Sequence, residues 1–268
     1  MPVWLEAGFW GFAAASALML GALFGWFIRF SAKTVAYVMA FGSGILLSAL
    51  SFELVADAVG QASPVWIIAG FMGGALVFSL INRSLNHPAK HRKRSRGQHL
   101  HKQSDNTFPN HASANHVSPT NVSPNGGVAI AAGTLLDGIP ESIAIGLLVA
   151  SGGKLSIVTI TAIFISNIPE ALSSTAGMRQ AGRSGGFILR LWGGIALLSG
   201  CFAVIGALFF GSAPEHVKAL ISCIAAGGIF AMVVETMIPE AFAETHEMSG
   251  LVAALGFVVA IALQALEV

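Results

Sequence analysis

Seven carboxylates, Glu53, Asp57, Asp137, Glu141, Glu170, Glu235 and Glu240, lie within long apolar runs, and no Lys or Arg stands deep in those runs to pair with them. An acid at the centre of a membrane helix costs roughly 2.5 to 3.5 kcal/mol on insertion scales, so such acids call for protonation, water or a cation. The pattern points to a cation pathway. Acids near helix ends can also snorkel or share protons as neutral pairs, and for Glu53 and Glu235 both readings stand.

Spacing sharpens the first reading. Asp137 and Glu141 are four residues apart, as are Ser166 and Glu170, and Thr236 and Glu240, so each pair shares one face of a helix. Each pair encloses a proline in a repeated triplet: Ile139-Pro140-Glu141, Ile168-Pro169-Glu170 and Ile238-Pro239-Glu240. Proline lacks an N–H and crowds the carbonyl four residues back, which frees the carbonyls of Leu136, Ile165 and Glu235. The residue that kinks each helix thus also supplies an oxygen ligand beside a carboxylate.

The elements that carry these groups follow from composition. Of 268 residues, 54% are hydrophobic and only 10% charged, against about 25% charged in a soluble domain, which excludes an ordinary cytosolic enzyme. A spanning helix needs roughly 20 apolar residues. Eight stretches qualify, at about 6–28, 35–59, 64–82, 127–150, 155–178, 186–211, 217–242 and 249–267, so the fold class is an all-α integral membrane bundle of eight transmembrane helices. The first stretch carries Glu6 in place of a basic leader and is expected to be a retained helix. Cys201 and Cys223 sit in apolar runs without CxxC spacing and are expected in the core.

Lys and Arg stay on the cytoplasmic side of short loops. Arg29 and Lys33 follow the first span, a cluster from Arg83 to Lys102 follows the third, and Arg179, Arg183 and Arg190 separate the fifth and sixth, whereas the other side holds only Lys154 and Lys218. Both termini are expected outside the cytoplasmic membrane. The domain plan is residues 1–82 with three spans, a basic cytoplasmic loop at 83–126, and residues 127–268 with five spans. From Asn82 to Asn125 the chain is polar and holds His87, His91, His99, His101, His111 and His116, which predicts a mobile loop. It serves either as a solvated linker or as a weak imidazole trap for metal. Topology accounts for its charge, so nucleic acid is not expected as a partner.

In these residues the chain resembles the ZIP (Zrt/Irt-like) family of divalent metal transporters. That family has eight spans, a long and often His-rich cytoplasmic loop after the third, and a metal site built by His-Asn-x-Pro-Glu-Gly in span four and a related motif in span five. The matching stretches are Asp137-Gly138-Ile139-Pro140-Glu141-Ser142 and Ser166-Asn167-Ile168-Pro169-Glu170-Ala171. The resemblance implies a three-two-three bundle with inverted symmetry, in which the matched spacing of Gly44 to Asp57-Ala58 and Gly227 to Glu240-Ala241 is a trace of the repeat. It also implies a homodimer. Residue by residue, it places Asp137, Glu141, Ser166 and Glu170 at a first metal site, leaves Asn167 and the bridging Glu170 of a second, and sets Asp57 and Glu240 in a relay with Glu53 and Glu235.

Here Asp137 and Ser166 stand where the family has histidine or glutamine, and span six has no carboxylate, so a single oxygen-rich site is expected. Imidazole and thiolate favour zinc, whereas oxygen ligands suit manganese, iron(II) or magnesium. The expected function is transport of a divalent metal cation toward the cytosol, with zinc, manganese, iron, cobalt or cadmium as substrate and no resident cofactor. An intramembrane metal-dependent hydrolase and a non-transporting metal sensor are the alternatives. HExxH and GxSxG are absent, and no histidine lies deep in a span, so no enzyme is expected.

Overall fold

The computed structural model describes residues 1–28, 30–97, 126–150, 157–180 and 182–267, and among these the chain is helical with no strand. The helices are α1 (Val3–Phe27), α2 (32–61), α3 (Pro64–Gly97), α4 (Gly126–Ala150), α5 (Ile157–Gln180), α6 (Gly185–Phe210), α7 (215–245) and α8 (Ser249–Glu267). Five of them, α1, α2, α3, α6 and α7, are long and apolar enough to cross a membrane. Much of the exterior is apolar, with Val65 73%, Phe209 71% and Leu251 64% exposed, as expected of side chains that meet lipid rather than water. This is a membrane protein.

Local chemistry sets the helix ends. Ser31 and Ser184 cap α2 and α6 by accepting the N–H groups of Thr34 (3.1 Å) and Phe187 (3.3 Å). The turn from α5 to α6 closes on Gly182, whose φ of 77° suits only glycine there, with Arg183 N–H donating to the Met178 carbonyl and Gly182 N–H to that of Arg179. Two helices change pitch midway. In α2 the α-helical stretch Ala32–Ala49 passes through a π-helical segment, Leu50–Val55, before resuming at Ala56–Gln61; in α7 the segment Val233–Met237 does the same between Glu215–Met232 and Ile238–Thr245. Pro239 accounts for the second, because it withholds an N–H from the Glu235 carbonyl, and the Ile238 N–H reaches back five residues to Val233.

Small residues let the helices approach closely. A Cβ on Gly44 would lie 1.9 Å from the carbonyl oxygen of Ala253, and one on Gly227 equally close to that of Phe71. Gly256 abuts Phe41 and Gly74 abuts Ile224 in the same manner. These contacts come in related pairs: Phe41 and Gly44 of α2 precede Ile224 and Gly227 of α7 by 183 positions, while Phe71 and Gly74 of α3 precede Ala253 and Gly256 of α8 by 182. Gly25 meets Leu172 and Thr175 as Gly206 meets Ile143 and Gly146, which relates α1 to α6 and, by a shift of 29, α4 to α5.

Exchanging α1 with α6, α2 with α7, α3 with α8 and α4 with α5 therefore maps helix pairings onto one another: α1 on α5 becomes α6 on α4, and α2 on α8 becomes α7 on α3. Gly8 and Gly11 meet Val204 and Ala203 in descending order, so α1 and α6 run antiparallel. The axis of this two-fold is thus perpendicular to the helices. Helices α1, α4, α5 and α6 form one interlocked group; α2 with α8 and α3 with α7 flank it.

Two expectations are corrected. The loop expected from Asn82 begins as helix, because α3 runs on to Gly97 through residues, Lys, Arg and Ala among them, of high helix propensity. Cys201 is exposed on α6, whereas Cys223 is buried as expected. A helix bordered by lipid can be apolar on every side, so its composition did not reveal which face of α6 was internal. His99, His101, His111 and His116 lie outside the described residues.

Candidate metal site

Pro140 and Pro169 each stand inside a helix, near the middle of α4 and α5. The two triplets are equivalent under the two-fold, the shift of 29 that relates α4 to α5 carrying Glu141 onto Glu170. Glu141 is buried at 4% exposure, Glu170 is half-buried, and the carboxylates are close enough to interact electrostatically. Neither helix holds Lys or Arg between Gly126 and Met178 apart from Lys154 in the connection. Two negative groups facing each other in a low-dielectric interior repel, and a cation between them removes that repulsion.

Both helices also carry neutral oxygens close to these glutamates in sequence. Asn167, 7% exposed, donates its amide to the Ala14 carbonyl (3.3 Å), which leaves its side-chain carbonyl oxygen to accept or coordinate. Ser166 donates to the Ile163 carbonyl (2.9 Å) and Ser142 to that of Gly138 (2.6 Å), leaving the lone pairs of both hydroxyls. A cavity of about 10 Å³, room for about one water, is bounded by Glu141, Ser142, Asn167 and Ser199 together with small residues of α1. The donors available are all oxygen.

The sequence-predicted residues are partly united. Glu141 and Asn167 line the cavity, and Glu170 acts on Glu141 electrostatically. Ser166 faces α2, its Cα 3.2 Å from where a Cβ on Gly42 would stand. The backbone of Asp137 lies in α4 one turn before Glu141, and its side chain is outside the described ones. Among the described residues no three His, Cys, Asp or Glu form a cluster able to hold a metal, so Asp137 is the acid on which a three-carboxylate set would depend.

Glu240 and Asp57 stand apart from the cavity. Glu240 accepts from the Ser173 hydroxyl (2.9 Å), which ties α7 to α5 one turn beyond Glu170. Asp57 is exposed near the end of α2. Glu53 is buried in the π segment of α2, and Glu235 in that of α7 accepts from Ser79 and from the Asn82 amide (2.8 Å). Ser142 and Ser199 were missed in the sequence. Ser142 carried a signal, being next to Glu141, but Ser199 is brought in from α6 by the close contact of Gly11 with Ser199 and Ala203, which no local pattern announces.

Comparison with protein-family models and with curated proteins gives no match to this chain.

Proposed function

We propose that this protein transports divalent metal cations across the cytoplasmic membrane toward the cytosol, as the resemblance to ZIP transporters implies. The observation that carries the reading is the electrostatic proximity of Glu141 and Glu170 at mid-bundle, on two proline-bearing helices related by the two-fold, with Ser142, Asn167 and Ser199 beside Glu141 and no Lys or Arg in either helix before Arg179. A dehydrated divalent ion needs several oxygen ligands and a compensating negative charge, and this is the place in the chain where both converge. In this reading all eight helices span the membrane as a three-two-three bundle. The inverted two-fold suits a carrier because a repeat and its inverted copy can exchange conformations, exposing one central site to each side in turn.

Glu141, Glu170, Asn167, Ser166 and Asp137 would hold the ion, with Asp57 and Glu240 on the paths to either face. An all-oxygen set favours manganese or iron(II) over zinc, with cobalt and cadmium as further substrates. The basic end of the bundle, with Arg83, Arg179 and Arg190, faces the cytosol, and the chain works as a homodimer. Competitive uptake of zinc, manganese, iron(II), cobalt and cadmium into proteoliposomes tests this directly. Accumulation of a divalent ion is expected; vesicles that accumulate none of the five would overturn the proposal.

A further inference from the structure

The two halves of the bundle are related by the two-fold, yet their ends are fastened differently. At the basic end Glu240, three residues beyond the π segment of α7, accepts the Ser173 hydroxyl of α5 at 2.9 Å. Glu240 corresponds to Asp57 by the same shift of 183 that relates Gly227 to Gly44, and Ser173 corresponds to Ala144 by the shift of 29 that relates α5 to α4. Asp57 likewise follows a π segment, but alanine has no hydroxyl to offer it. Among the described residues the Asp57 side chain makes no hydrogen bond, and it is exposed.

The Ser173 bond crosses the boundary between the two sets of helices. Several other long-range side-chain bonds among the described residues stay within a set: Asn167 to Ala14, Arg179 to Trp26 and Trp192 to Thr175 tie α1, α5 and α6, Ser79 and Asn82 tie α3 to Glu235 of α7, and Gln264 of α8 donates to the Phe52 carbonyl of α2. A bond within a set survives when one set moves against the other, whereas a bond across the boundary must break. The π segment before Glu240 weakens the helix ladder where such a movement would bend it.

We propose that the Ser173–Glu240 hydrogen bond is a latch that closes the basic end of the bundle, and that Ala144 leaves the opposite end without one, so the resting molecule opens more readily at the end that carries Asp57. This rests on the transport reading, since a latch matters only if the ends open in alternation. It assigns Ser173 a positioning role and gives the two-fold bundle a preferred resting state.

The test uses accessibility. In a background of Cys201→Ala and Cys223→Ala, Thr236→Cys places a thiol one turn before Glu240 on α7, and a membrane-impermeant maleimide is applied to the basic face in vesicles. Ser173→Ala and Ser173→Val should each raise the labelling rate roughly threefold to tenfold, the effect of losing one hydrogen bond, while Ser173→Thr, which keeps the hydroxyl, should hold the parent rate. Valine and threonine are nearly isosteric, so disturbed packing affects both alike. Equal labelling of the Val and Thr variants, or a parent rate in the Ala variant, overturns the latch. Manganese uptake is read on the same vesicles. Uptake with equal Val and Thr labelling removes the latch and leaves the transport reading; a Val and Thr difference without uptake by the parent removes transport and leaves the latch.

Discussion

Glu141 and Glu170 differ in burial, but in the proposed transport reading each would offer a carboxylate ligand to a divalent ion. Glu141→Gln or Glu170→Gln keeps volume and polarity while removing a charged ligand, so uptake should fall by more than about tenfold, with membrane insertion near normal, as fluorescence size-exclusion and vesicle uptake would show together. Wild-type uptake by either variant would sink the site. In the proposed transport reading, selectivity would rest on Asp137 and Ser166, where this chain departs from the pattern of the ZIP family it resembles. Asp137→His with Ser166→His exchanges two oxygens for imidazoles and should raise the ratio of zinc to manganese uptake severalfold, because imidazole stabilises zinc more than a harder ion. The lost charge weakens both ions, so the ratio measured in competition is the informative quantity, and an unchanged ratio would place these two side chains away from the ion.

The helices meet through glycines, and substitution there tests the packing without touching the site. Gly227→Val puts a branched side chain where the Phe71 carbonyl already stands and should lower stability by about 1 to 3 kcal/mol, seen as a reduced Tm in detergent. Gly177→Ala has open space at its Cβ and gains helix propensity, so its Tm should hold or rise. Much of this level was legible from the sequence, because apolar runs of spanning length mark the helices to within a few residues at most ends, and the Pro-Glu triplets on α4 and α5 mark the two carboxylates that interact electrostatically. The π segment of α2 was not, since no proline marks it. The extension of α3 was not either, because a polar composition predicts solvation but does not exclude a solvated helix. Removing residues 88–118 should leave uptake measurable, because a polar stretch with so little apolar content cannot build a core; loss of folding would make the stretch structural.

An inverted two-fold leaves the bundle almost indifferent to its orientation. Turning the molecule over exchanges α1–α3 with α6–α8, and the glycine contacts and π segments that hold one arrangement hold the other as well. Packing therefore cannot choose a side, and the choice falls to charge. Among the described residues, Arg83, Arg179, Arg183, Arg190 and Lys33 gather at one end, against Lys218 at the other, so the first end should face the cytosol. Gly60 and Gly186 are exposed positions at opposite ends. In the background without native cysteines, an impermeant maleimide added to intact cells should label Gly60→Cys and spare Gly186→Cys until the membrane is opened. Labelling of Gly186→Cys alone would invert the orientation, and labelling of both in one cell population would mean dual insertion, with the charge asymmetry too weak to decide between two nearly equivalent halves. Reversing the bias, with exposed Lys33 and Arg190 made neutral and basic residues added beside Lys218, should then move the labelling toward Gly186→Cys while leaving Tm nearly unchanged, because the contacts that set stability are the ones the two-fold preserves.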